Sequence, residues 1–204
     1  MPLDSTTIVI AGDGVVGKSS ILSVLVNQEF PETYVPTTFE NSVINSADLN
    51  LKIDNNKIID INLWDIAGQE EYEKMRPVAY QNADVVILCF SIDSIDSLKN
   101  ITSKWIPEIK YYNDSVMFLL VGTKADIREN RQLINELQED GITIISKTAG
   151  ETLAKEIGNH VAYMECSALE NRGITEVFEA AVNMGLWKKY ERGEGKTGCR
   201  CSIL

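Results

Sequence analysis

The chain has 204 residues, a formal net charge of -11 and 44% hydrophobic residues, with four cysteines and one histidine. At about 100–200 residues per domain this is one domain with room for a tail, large enough to bury a core without disulfides or metal staples. A charged fraction of 24% excludes a disordered or fibrous chain, and the acidic balance argues against a nucleic-acid binder, which carries a basic face.

A single bound nucleotide is still compatible with that charge, because a few local donors outweigh the global field. The first residues, MPLDSTTIVIAGDG, have no basic region and no long apolar stretch, so no secretory signal is expected. No run reaches the roughly 18 apolar residues of a membrane-spanning helix. Position 2 is proline, which argues against N-myristoylation. The chain reads as cytoplasmic. Cys89 in VVILCF and Cys166 in YMECSA read as reduced core residues, and Cys199 and Cys201 stand in the last six positions. The sequons at Asn100 and Asn113 carry no weight without secretion.

Thr6–Ala11 is a β-branched apolar run that ends in a glycine-rich turn. From Ser19, Ile21, Leu22, Leu25 and Val26 recur at helical spacing. Residues 41–63 read as two extended runs about the turn-like Asp54-Asn55-Asn56. Val85–Phe90 and Met117–Val121 are continuous apolar runs of strand length, the pattern of strands covered on both faces. Between them Leu98, Ile101, Trp105 and Ile109 mark a helix, with Pro107 expected to bend its end. Leu133, Ile134 and Leu137 repeat at helical spacing within 127–141. Val161–Glu165 is a short strand, and Ile174, Val177, Phe178, Ala181 and Val182 give a final amphipathic helix. Alternating strands and helices imply an α/β domain with a mainly parallel sheet, right-handed crossovers and one hairpin.

Gly12-Asp13-Gly14-Val15-Val16-Gly17-Lys18-Ser19 fits the P-loop pattern G-x-x-x-x-G-K-[ST]. Such a loop turns backbone N–H groups toward a β-phosphate, and the following helix adds its positive end. Gly14, Val15, Val16, Gly17, Lys18, Ser19 and Ser20 are therefore expected to bind phosphate, with Lys18 on the β- and γ-phosphates and Ser19 on Mg²⁺. The P-loop alone leaves ATP and GTP, kinase and switch, equally open. In Trp64-Asp65-Ile66-Ala67-Gly68-Gln69, Asp65 is placed to hold a Mg²⁺-bound water and Gly68 to offer its N–H to a γ-phosphate. Thr123-Lys124-Ala125-Asp126 follows the Met117 strand. A carboxylate at Asp126 can accept two hydrogen bonds from guanine N1–H and its 2-amino group, a donor pair that adenine lacks. Ser167-Ala168-Leu169 ends the next strand, where the Ala168 N–H could meet guanine O6.

With these motifs in order, the chain resembles the Ras superfamily and, within it, the Rho/Rac family. The resemblance covers about residues 5–190. Its most specific pieces are FPETYVPTTFEN (30–41), WDIAGQEEYEKMRP (64–77), VGTKAD (121–126) and ECSALENRGITEVF (165–178). It implies a P-loop small G-domain at 1–187, with a six-stranded mainly parallel sheet, one antiparallel hairpin strand and helices on both faces. Residues 127–141 lie where Rho proteins carry an insert helix. It also implies GTP and GDP as substrate and product, Mg²⁺, and a cytoskeletal signalling role. Thr37 would be the switch ligand of Mg²⁺ and γ-phosphate, Phe30 would lie against the guanine, and Tyr34 would close over the phosphates. Lys124 would run its stem along the base, Gln69 would orient the attacking water, and Gly14 would leave it room. Implied partners are an exchange factor, a GAP supplying an arginine, a GDI-like protein and effectors, with a monomeric G-domain.

The chain departs from the family at Ile66, Thr38 and Ser19, and it has 28 residues from Thr37 to Asp65, about six more than usual; the surplus is expected to extend the hairpin around Asp54–Lys57. Cys201-Ser202-Ile203-Leu204 resembles a prenylation end, and its final leucine favours geranylgeranyl on Cys201. Because one lipid usually needs a second signal, the basic residues of the 188–204 tail and a palmitoyl group on Cys199 are candidates for it. A tail so modified implies the cytoplasmic face of a membrane, the plasma membrane foremost. Two rivals stand beside this reading: a GTP-loaded scaffold with negligible hydrolysis, against which Gln69 and Gly14 speak, and a P-loop kinase or ATPase, against which Asp126 speaks.

Overall fold

A computed structural model describes residues 5–33, 39–54, 57–69, 72–158 and 161–191. The apolar runs pair as the sequence implies. Strand β1 (Ser5–Ala11) is followed by helix α1 (Lys18–Asn27), and β2 (Phe39–Asn45) and β3 (Asp60–Ile66) form the hairpin. Helix α2 (Arg76–Gln81) leads to β4 (Val85–Ser91). The next helix comes in three pieces: α3 (Ile95–Asn100), a π turn at Ile101–Trp105, and α4 (Ile106–Tyr112). Then come β5 (Met117–Thr123), a 3₁₀ turn at Ala125–Glu129, α5 (Arg131–Glu139), α6 (Lys147–Ile157), β6 (Ala162–Glu165) and α7 (Ile174–Glu191). Among the described residues the sheet has six strands in the order β2-β3-β1-β4-β5-β6, and only the β2–β3 pair is antiparallel.

Apolar clusters lie on both faces of the sheet. One joins alternate residues of β1, β4 and β5 to α1 and α7, and the other joins the remaining strand residues to α2, the α3–α4 helix and α6. All seven residues of β4 are buried, as expected of a strand covered on two sides. Cys89 and Cys166 are free and buried; burial pushes both thiols up, Cys166 to about 12. Pro107, expected to bend the end of this helix, stands directly after the π turn, and the helix runs on past it to Tyr112.

The surplus length between the switch segment and Asp65 does not lengthen the hairpin. The β2–β3 ladder closes at Asn45↔Asp60, and the connection folds back over α7. Leu49, Ile53 and Ile59 are buried in the cluster that holds Val177, Phe178 and Ala181 of α7. Glu179 and Asn183 of α7 accept the backbone N–H groups of Lys52 and Asp54 at 2.6 and 3.3 Å. Alternating polar residues hid three core positions that only α7 could cover.

The end of α7 also corrects the expected tail. The helix runs to Glu191, so Lys188 and Lys189 belong to the domain. The Lys188 ammonium is buried against the carbonyls of Ala83 and Asp84, and Lys189 binds the Ser5 carbonyl and the Asp84 carboxylate. Neither is available to a basic tail patch, which retains Arg192, Lys196 and Arg200.

Because the folded-back connection buries Ile53 far from the strand ends that carry the sequence motifs, Ile53→Ala should lower the unfolding free energy by about 2–5 kcal/mol. Urea denaturation reads that loss, and GDP dissociation should stay at the parental rate.

Candidate functional site

The loop between β1 and α1 is shaped by three residues at positive φ, Gly12 at 143°, Val15 at 64° and Gly17 at 95°. Glycine takes this conformation without strain, whereas a β-branched valine does not. Strain of this kind persists where the surroundings enforce it, commonly at binding sites. The Val15 side chain is 72% exposed at the loop tip. The Lys18 side chain runs back beneath the loop, where its ammonium donates to the carbonyls of Gly12 and Asp13, both at 2.8 Å. Lys18 is only 6% exposed. Burial holds its ammonium below the ordinary lysine range, against the pull of Asp65 and Asp13. A cation placed this way has paid its desolvation before any phosphate arrives.

A cleft of about 1280 Å³ opens at this loop. Its walls gather Gly14, Val15, Gly17, Lys18, Ser19, Ser20, Phe30, Asp65, Gly68, Gln69, Thr123, Lys124, Asp126, Ala168 and Leu169. Fifteen of the residues singled out in the sequence therefore meet at one place, at the C-terminal ends of β1, β3, β5 and β6, where open α/β sheets carry their ligands. Val16 and Ser167 are buried behind that wall. Tyr34 and Thr37, like Cys199 and Cys201, lie outside the described residues.

Gly68 packs directly on the loop. A Cβ there would stand 2.5 Å from backbone atoms of Gly12, Asp13 and Gly14, so only glycine brings the start of the Gln69 segment this close. A Cβ on Gly14 would stand in ordinary van der Waals contact with the Gln69 Cγ, at 4.0 Å, so the absent side chain at Gly14 leaves a methyl-sized space beside Gln69.

The base end of the cleft is braced from behind. Ser167 Oγ donates to Asp126 Oδ1 at 2.6 Å and fixes the carboxylate. Lys124 takes the left-handed conformation, φ 59°, and its ammonium meets Asp93 at 3.3 Å. Thr123 spends its hydroxyl on the carbonyl of Val16 at 2.6 Å, tying β5 to the phosphate loop. The Ala125 N–H donates to the Cys166 carbonyl at 3.0 Å. One element was not foreseen: Arg128 grips Glu165 through two nitrogens at 2.9 and 2.6 Å and also donates to the Ile145 carbonyl, while Tyr163 donates to Glu165 at 2.6 Å. Burial pushes the Glu165 carboxyl up, but the hydrogen bonds from Arg128 and Tyr163 prevail and hold it below its usual value. Sequence offered no signal for this pair, because its partners are 37 residues apart.

The donors present fit Mg²⁺. Ser19 and Asp65 bring hard oxygens to the phosphate end of the cleft, and among the described residues no group of three or more His, Cys, Asp or Glu could hold a metal by itself. Mg²⁺ is bound in just this way, by one or two protein oxygens together with substrate phosphates and waters.

Residues 7–185 match the family model described as Ras family. The chain is also 41% identical over 197 residues to the Rho-related GTP-binding protein RhoB of human, mouse and rat, covering 97% of this chain and 96% of each relative. The chain belongs to the Rho branch of the Ras family. It is a Rho-like small GTPase, a GTP hydrolase that uses GTP, GDP and Mg²⁺. Membership places it among proteins that work with exchange factors, GAPs, GDIs and effectors, and sets aside the kinase and inert-scaffold readings. Among the described residues no helix is long and apolar enough to cross a membrane.

A carboxyl held low by its partners contributes stability above its unfolded value and loses it as pH falls through its folded value. Unfolding free energy of this GTPase should therefore drop with acidification below the ordinary glutamate value of 4.5. In Glu165→Gln that slope should be shallower, as measured by denaturant titration at a series of pH values.

Proposed function

We propose that this chain is a membrane-tethered GDP/GTP switch in which Gln69 orients the hydrolytic water, Lys18 stabilises charge on the leaving phosphates, and Asp126 selects guanine. What supports this reading is the convergence of the phosphate loop, Asp65, Gly68, Gln69 and the Thr123–Asp126 turn in one cleft. A water attacks the γ-phosphorus in line. The bond to the β–γ bridging oxygen breaks, its electron pair stays with GDP, and the proton of the water leaves with the phosphate. Ser19, Thr37 and, through water, Asp65 would hold Mg²⁺, which would supply charge neutralisation for the phosphates. The backbone N–H groups of residues 14–20 cradle the phosphates, and the Lys18 ammonium adds a positive charge already stripped of water. Phe30, the Lys124 stem, Ala168 and Leu169 enclose the base, and Ser167 keeps Asp126 aimed at it. Tyr34 closes over the phosphates.

No arginine lines the cleft among the described residues, so a GAP supplies one. Unassisted turnover is then slow, on the order of 10⁻⁴–10⁻³ s⁻¹. The γ-phosphate would hold Thr37 and the Gly68 N–H, and its loss would release both segments; exchange factors, a GDI-like protein and effectors read the two states of a monomeric domain. The G-domain runs through Glu191, and residues 192–204 form the tether, with geranylgeranyl on Cys201 and Cys199 as a palmitoyl site, on the cytoplasmic face of the plasma membrane.

Gln69→Leu should retain GTP while losing GAP-stimulated turnover, a stimulation worth about 10⁵-fold in the Ras case. Stimulated phosphate release at the parental rate overturns the role given to Gln69. Cys201→Ser should move the protein to the soluble fraction on cell fractionation, and persistent membrane association refutes the lipid tether.

A further inference from the structure

The phosphate loop and the Gln69 segment share a support that no sequence motif assigned, the π turn between α3 and α4. Residues five apart sit about 140° from each other around a regular helix. The wider turn at Ile101–Trp105 brings Asn100 and Trp105 to one carboxylate instead. Trp105 Nε1 donates to Asp13 Oδ1 at 2.7 Å, and Asn100 Nδ2 donates to Asp13 Oδ2 at 2.6 Å. Asp13 thus points its carboxylate into the helix while its carbonyl receives Lys18.

The Trp105 ring carries a second load. The Arg76 guanidinium stands 4.9 Å from the ring centroid. Arg76 is fully buried, a costly place for a cation unless it is well paired. Glu108 takes both of its oxygens to Arg76 Nη1 at 2.9 and 2.7 Å, and Tyr80 donates to the same carboxylate at 2.9 Å. The remaining terminal nitrogen, Nη2, donates to the Gln69 carbonyl at 3.0 Å. Trp105 therefore touches both arms: the phosphate loop through its N–H, and the Gln69 main chain through Arg76.

We propose that Arg76 and Trp105 are positioning residues for GTP hydrolysis, setting the Gln69 main chain at a fixed height over the phosphate loop. The inference rests on the reading of Gln69 as the residue that orients water. Only glycine fits at position 68 against the loop backbone, and the Gln69 Cγ lies 4.0 Å from where a Gly14 Cβ would stand. The Gln69 carbonyl, which takes the Arg76 guanidinium at 3.0 Å and the Tyr72 N–H at 3.3 Å, is then the anchor at the root of that side chain. A misplacement of about 1 Å in such a group costs up to about 100-fold in rate.

The test is single-turnover phosphate release from GTP-loaded protein, read beside GDP dissociation and amide exchange around Gln69 in the GDP form. Arg76→Gln should slow hydrolysis about tenfold and speed that exchange, with GDP dissociation within about twofold of the parent. Trp105→Phe keeps a ring under Arg76 but removes the indole N–H, and should slow hydrolysis in the same direction. A positioning residue acts only through the group it positions, so adding Arg76→Gln to Gln69→Ala should slow hydrolysis no further. Parental hydrolysis in Arg76→Gln, or a full further loss in the double variant, overturns the proposal. If Arg76→Gln fails to fold, parental hydrolysis in Trp105→Phe overturns it equally. Parental hydrolysis in Gln69→Ala alone overturns the Gln69 reading itself, whereas an impaired Gln69→Ala beside a parental Arg76→Gln overturns only the support assigned here.

Discussion

A buried ammonium clasped by two main-chain carbonyls sets the terms for the rest of this domain. Lys18 reaches Gly12 and Asp13 only because the chain leaves β1, turns through three residues at positive φ and enters α1 within six positions. That reversal fixes the end of β1, and the parallel neighbours of β1 must then end at the same edge. The Gln69 segment, the Asp126 turn and the Ala168 loop follow as extensions of strands already aligned. A sheet ordered β2-β3-β1-β4-β5-β6 has β1 near its middle, so the phosphate end of the cleft sits where two halves of the sheet diverge.

Around that clasp, polar groups are buried in pairs whose members come from distant parts of the chain. Thr123 with the Val16 carbonyl, Ser167 with Asp126, Arg128 with Glu165 and Arg76 with Glu108 each join two elements. Breaking one such pair strands a buried polar group, which costs more than the pair gains. Loops held by these pairs have little freedom to settle elsewhere, which is what a site built mostly from turns needs.

Local chemistry was legible in the sequence and distant chemistry was not. The runs at Val85–Phe90 and Met117–Val121 have the length and continuity of strands covered on both faces, and the glycine and lysine spacing of the phosphate loop admits few backbones. Helix 131–139 was readable from Leu133, Ile134 and Leu137, which lie half-buried against the core. By contrast, residues 46–59 alternate polar and apolar as a strand does, and their docking on α7 depends on contacts about 127 positions away. Lys188 looked like part of a basic tail because a helical face that meets backbone carbonyls leaves no periodic mark. Trp105 read only as one apolar mark of a helix and Arg76 drew no reading of its own, since their partners Asp13 and Gln69 are chosen by the fold rather than by spacing.

The lysines that close α7 bind at Ser5 and at the Ala83–Asp84 turn, beside the first residues of β1 and β4. The phosphate loop leaves from the last residue of β1, seven residues and roughly 20 Å away. Helix α7 therefore ends at the pole opposite the cleft. A hold taken at that end would leave the cleft turned outward, presented to the solution and to any protein diffusing through it.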